Sequence, residues 1–188
     1  VADMPTLDPR TTALILIDLQ AGIVPGDKGP RSSADVVATA TALADRFRGA
    51  GAPVVLVHVD FGPGDMPSLN VDAPRLPKDG TPPGFADFVD GVRQPGDIVV
   101  LKHHWGAFTG TDLDLQLRRR GVKTLVVAGI ATNFGVESTV RSAWELSYDV
   151  VVIEDACTSR SAELHDFAIR HILPQIARVV ASDSIALA

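Results

Sequence analysis

The amino-acid sequence predicts an α/β fold: a three-layer α/β/α sandwich built on a doubly wound, mostly parallel six-stranded sheet. Two observations carry that expectation. First, short apolar runs dominated by Val, Ile and Leu recur along the chain without polar alternation, the pattern of strands buried on both faces. Second, segments with helix start and stop signals separate most of these runs, as parallel pairing requires. Right-handed crossovers then place the helices on both faces of the sheet. At 188 residues the chain is expected to form one domain, residues 1–188, large enough to bury a substantial core.

The elements follow in order. ALILID (13–18) is a buried strand. Ser32 or Ser33 caps a helix that runs to about Ala50, where Gly49 and Gly51 stop it. Pro53 opens the second strand, VVLVHV (54–59). Residues 61–96 hold seven prolines and six glycines, which predicts one long surface loop with a helical turn near 84–90. IVVLK (98–102) is the third strand; a helix from Asp112 to Arg120, closed by Gly121, leads to the fourth at 124–129. A helix from Gly135 to Ser147 precedes VVVI (150–153), and another from Ala162 to Leu173 ends before Pro174. ARVVA (177–181) is the sixth strand.

Composition narrows the function. A hydrophobic content of 46% opposes disorder, and every apolar run is far shorter than a membrane span. The net charge of −6 opposes nucleic acid or an anionic membrane as a partner. Arg118–Arg119–Arg120 is the basic cluster, expected in the last turn of a helix, where the dipole favours cations. A single cysteine, Cys157, excludes a disulfide framework and suits the cytoplasm. VADMPTLDPR lacks an ordered basic, apolar and cleavage sequence, so no secretory signal is expected there.

In a doubly wound sheet the ligand site lies beyond the carboxyl ends of the strands. The residues expected there are Asp18, Val59–Asp60, Lys102-His103-His104-Trp105, the turn Ile130–Gly135, and Glu154-Asp155-Ala156-Cys157. Asp18 follows five apolar residues, and a buried carboxylate is costly unless paired. It either caps a turn or pairs with Lys102, in which case both pKa values shift. Gly129–Thr139, GIATNFGVEST, carries a strand into a helix and points backbone N–H groups at a cleft, yet offers no thiol. His103 and His104 are adjacent and face opposite ways on an extended segment; His58, His165 and His171 show no ligand spacing. No metal and no cofactor are expected.

The ordered set LILIDLQ, then Lys102 with Ala107-Phe108, then the Gly129–Thr139 turn, then VVIEDAC, resembles the isochorismatase-like hydrolase superfamily through nearly the whole chain. The resemblance implies an active site of Asp18 and Lys102, with the nucleophilic cysteine of the amidase members falling at Gly135. It also implies a cis peptide at Ile130–Ala131 and a homodimer or higher homo-oligomer. Thiol-dependent amide cleavage needs a sulfur that Gly135 cannot supply. Members that split isochorismate resemble this chain in carrying glycine there. Their vinyl-ether substrate is protonated on carbon and hydrated, which requires an acid and room rather than a nucleophile.

The chain departs from isochorismatases at Val59, where they carry glutamine, and at Ala131-Thr132-Asn133, where they carry Tyr-Ala-His. The expected function is hydrolysis of a small, anionic metabolite without a covalent thiol intermediate. Asp18 is the proton carrier, and Lys102 orients the substrate while lowering the pKa of Asp18 until a bound anion restores it. Substrate contacts are expected from Trp105, Phe108, Ile130, Ala131, Asn133 and Gly135, with core or interface packing the other role for the two aromatics. Cys157 is either packing or a relocated nucleophile. The alternatives are a retired, anion-binding or interaction protein, and an amidase in which Asp18 activates water.

Overall fold

The computed structural model describes residues 6–65, 70–73 and 79–188. Six strands form the main sheet: β2 (Thr12–Ile17), β3 (Val54–Val59), β4 (Ile98–Lys102), β5 (Thr124–Ile130), β6 (Asp149–Thr158) and β7 (Arg178–Val180). Their order is β4-β3-β2-β5-β6-β7, and every pairing between them is parallel. β2 and β3 are buried along almost their whole length, which is why their apolar runs do not alternate. The buried apolar side chains form one contiguous cluster that includes residues from five of these strands and three helices.

Four α-helices accompany the sheet: α1 (Ser33–Gly49), α2 (Leu113–Arg119), α3 (Glu137–Glu145) and α4 (Ala162–Phe167). The cap of α1 is Ser32, whose Oγ accepts the Asp35 N–H at 3.1 Å. The chain order reverses between β2 and β5, neighbours in the sheet whose crossovers leave in opposite directions. That is the switch point of a doubly wound sheet, and it brings Asp18 beside the turn after β5.

Several expected boundaries differ. The fifth strand does not end at Ile153: β6 continues to Thr158, with a register shift opposite Val127–Gly129, so Glu154–Cys157 lies inside the strand. The helix expected from Gly135 begins earlier, as a π-helical turn over Thr132–Val136 that leads into α3. The last helix splits into α4, a π-helical turn (Ala168–Ile172) and a 3-10 turn (Leu173–Gln175). Pro174 enters that last turn near its start, where a missing N–H costs little. The described part of 84–90 forms turns rather than a helix. A two-residue parallel pair, β1 (Thr6–Leu7) with β8 (Ala186–Leu187), was not expected. Segments 66–69 and 74–78 of the 61–96 loop lie outside the described residues.

Candidate active site

Asp18 leaves β2 in a left-handed conformation, with φ of 53° and its N–H donating to the Val57 carbonyl at 2.9 Å. A non-glycine residue rarely adopts this backbone, and such outliers cluster at functional sites. Lys102, the last residue of β4, extends its Nζ to 2.9 Å from Asp18 Oδ2 and 3.1 Å from the His104 carbonyl. Asp18 is 5% exposed and Lys102 1%, so the pair is dry. The second carboxylate oxygen, Oδ1, is buried without a hydrogen-bond partner. Burial raises the Asp18 pKa to about 6, against the opposing effects of Lys102 and, more weakly, His58. The sequence reading had the lysine dominate until a ligand bound. Desolvation outweighs it.

Gly135 sits against this carboxylate. A Cβ on residue 135 would lie 3.2 Å from Asp18 Oδ2, 3.0 Å from Ile17 Cγ2 and 3.5 Å from the Trp105 carbonyl. Even a methyl group would crowd the acid, so glycine lets the turn pack closely against it. Gly129 is needed for a different reason: its φ is 128°, and a side chain there would collide with the Ile17 carbonyl across the β2–β5 pair. The turn between the two glycines is anchored from below. The Ile130–Ala131 peptide is cis, and the Ala131 carbonyl accepts from Phe134 N at 3.1 Å and Val136 N at 3.2 Å. Thr139 Oγ donates to the Gly135 carbonyl at 2.7 Å and accepts from Ala107 N at 3.1 Å, tying the segment after Lys102 to α3.

A buried acid–lysine pair facing a glycine-marked turn at a switch point is the arrangement against which known proteins can be compared. The isochorismatase domain model matches residues 12–184. This chain belongs to the isochorismatase family. An uncharacterized isochorismatase family protein of Escherichia coli O157:H7, YecD, is 48% identical over 179 residues, covering 94% of this chain and 95% of the relative. An isochorismatase family protein from Burkholderia thailandensis has a solved structure with a TM-score of 0.92 at 44% identity, covering 97% of each chain. The ureidoacrylate amidohydrolase RutB of Methylobacterium radiotolerans is 35% identical over 192 residues, covering 88% of this chain and 74% of that one. Hydrolases are therefore among the relatives of this isochorismatase family member.

The remaining expected residues divide. Ile130 is buried and Ala131 half-buried, both within the turn. Asn133 Oδ1 accepts from Ser159 Oγ, so part of that amide is engaged by the protein. Trp105 is 59% exposed, with its ring 4.8 Å from that of Phe134 in an edge-on contact. Phe108 does not join this group: it packs on the core, its ring 5.9 Å from that of Tyr148, the residue before β6 at the opposite edge of the sheet. Cys157 is fully buried beside Gly129, and burial pushes its thiol up to about 12. Burial of this kind weakens a thiol as a nucleophile. Among the described residues, no three His, Cys, Asp or Glu side chains converge in a group able to hold a metal.

Sequence reasoning did not name Gln20 and weighed His58 and His165 only as lacking ligand spacing, yet all three shape the site. Gln20, fully buried, brackets Val59: its Nε2 donates to the Val59 carbonyl at 2.9 Å while its Oε1 accepts the Val59 N–H at 2.7 Å. The same Nε2 reaches the Phe85 carbonyl at 2.9 Å and so ties the loop after β3 to the end of β2. His58 is stacked on Phe88 at 4.7 Å, and its Nδ1 lies 2.8 Å from the Ala86 carbonyl, which can only accept. Nδ1 therefore carries the proton. His165 Nδ1 meets Thr132 Oγ at 2.8 Å beneath the π-helical turn, and burial lowers its pKa. The one available signal was the Gln two residues after Asp18, a side chain able to satisfy a backbone N–H and C=O together.

Proposed function

We propose that this isochorismatase family member is a metal-independent, cytoplasmic hydrolase of a small, anionic metabolite that forms no covalent thiol intermediate, and that Asp18 is its general acid. The observation that carries this reading is Asp18 Oδ1: a buried carboxyl oxygen without a partner, on a group whose pKa is raised to about 6 and whose other oxygen meets Lys102 and packs against Gly135. A carboxyl of that pKa is substantially protonated in mildly acidic solution and can donate near neutrality. The best-fitting substrate is a vinyl ether of the isochorismate type. Asp18 gives its proton to the terminal alkene carbon, water adds to the resulting oxocarbenium carbon, and the hemiketal collapses to an alcohol and a carbonyl compound. The proton released on hydration returns to Asp18. Lys102, held by Asp18 Oδ2 and the His104 carbonyl, stabilises the carboxylate between these steps.

A second reading is favoured by the 35% identity to a ureidoacrylate amidohydrolase. In it the ionised Asp18 draws a proton from water that attacks an amide at the same place. The two readings call for opposite protonation states, so pH separates them. With vinyl-ether and amide panels, acid catalysis makes kcat/KM fall as pH rises through about 6, the folded-state pKa, whereas base catalysis makes it rise. Asp18→Asn is expected to lower kcat at least about 100-fold in either case, the usual scale of general acid–base catalysis. A folded Asp18→Asn protein with full activity would rule out both.

A further inference from the structure

Lys102 is already engaged. Its Nζ is buried between Asp18 Oδ2 at 2.9 Å and the His104 carbonyl at 3.1 Å, leaving it at most one further donor for a substrate. Arg31 is engaged by the Glu154 carboxylate at 3.3 Å. Arg160 is different. It is exposed, its guanidinium carbon stands 5.1 Å from the centroid of the Phe134 ring, and it pairs with no carboxylate among the described residues. Phe134 immediately precedes Gly135 and meets Trp105 at 4.8 Å, and the Trp105 carbonyl lies 3.5 Å from where a Gly135 Cβ would be.

The base of Arg160 is fixed to the same turn. Ser159, the residue before it, donates from Oγ to Asn133 Oδ1, and its backbone pairs with Gly29 in both directions, at 2.9 and 3.0 Å. A guanidinium rooted on the site turn and laid on an aromatic ring keeps its planar fork of N–H donors free. In a chain of net charge −6, which otherwise repels anions, such a group gives a carboxylate a local place to bind. The adjoining rings of Phe134 and Trp105 present apolar surface to a flat substrate.

We propose that Arg160, carried on Phe134 beside Gly135, recognises a carboxylate of the substrate, and that the substrate class is small, unsaturated carboxylates. This rests on the reading of the surroundings of Asp18 and Gly135 as the substrate site. The test uses benzoate and its uncharged counterpart benzamide, titrated into the full-length wild-type protein, Arg160→Gln and Arg160→Lys, with backbone amide NMR shifts as the readout. Benzoate is expected to perturb residues 104–106 and 133–136. Arg160→Gln should weaken it by about tenfold, the loss that follows removal of a charge-assisted hydrogen bond, while Arg160→Lys keeps part of the affinity. Benzamide binding should be the same in all three proteins.

Equal benzoate affinity for the wild type and Arg160→Gln, or no benzoate perturbation of the turn in the wild type, would overturn the inference. The hydrolase reading fails separately. If benzoate binding depends on Arg160 and no vinyl ether or amide is turned over, carboxylate recognition stands and catalysis does not. If turnover occurs but Arg160→Gln leaves KM unchanged for carboxylate and neutral substrates alike, catalysis stands and this inference falls.

Discussion

The Asp18 carboxyl is where burial and charge compete most directly. Its pKa is about 6 when folded and 3.8 in the unfolded reference, so between these values the folded state holds a proton that the unfolded chain has released. Its effect on stability is therefore neutral below 3.8, grows unfavourable as pH rises through the window, and is complete above about 6, where it costs about 3 kcal/mol. Lys102→Met removes the nearby cation without opening a large cavity, so the Asp18 pKa should move further up. The pH at which kcat/KM falls is then expected above that of the wild type; an unmoved or lowered midpoint would show that Lys102 does not govern the acid. Cys157 gives a second check at this scale. With its thiol raised to about 12 and fully buried, it should resist iodoacetamide at pH 8 in the native protein and react only on unfolding. Rapid native labelling, or loss of activity in a folded Cys157→Ser protein, would return the thiol to the mechanism.

At the scale of elements, the site is held by links between segments far apart in the chain. Gln20 joins the end of β2 to the end of β3 and to Phe85, and its removal strands the Val59 N–H in the interior. Gln20→Ala is expected to destabilise the fold by about 3 kcal/mol and lower Tm by roughly 10 °C. A calorimetric Tm within about 2 °C of wild type would mean that water satisfies these groups. The strand pattern of β2, β3 and β5 was legible because continuous Val, Ile and Leu runs need no information from elsewhere in the chain. The extension of β6 to Thr158 was not. Glu154 and Asp155 look like a strand end, but Arg31 meets Glu154, and Asp155 accepts from Ser182 N and Oγ at 2.7 and 2.6 Å. Partners contributed by distant segments make polar residues acceptable within a strand.

The whole molecule leaves large apolar side chains uncovered on several helices. Trp144 and Leu146 at the end of α3, and Leu164 and Phe167 on α4, are between 38% and 59% exposed. Where such side chains form a contiguous patch, association covers it. We propose a homodimer, in agreement with the expectation drawn from sequence resemblance. Sizing with light scattering at micromolar concentration should give at least twice the 19.9 kDa chain mass; a monomer would contradict it. Among the described residues, no helix is long and apolar enough to cross a membrane.

What the sequence determined by itself was the layer architecture, the parallel strands in their chain order, and Asp18 and Lys102 as the charged groups at the strand ends. Apolar periodicity, caps and a carboxylate at the tip of an apolar run are local signals, and burial physics acts on each where it stands. The tertiary structure decided the rest. Neither the 2.9 Å ion pair nor its dryness belongs to one segment, so the balance that raises Asp18 rather than lowering it emerged only when β2, β4 and the turn after β5 met. The same meeting turned Phe108 toward Tyr148, set Gln20 across three segments, and laid Arg160 over Phe134. Sequence marks which groups are costly to bury; only packing decides which neighbour offsets the cost and which atom is left without one.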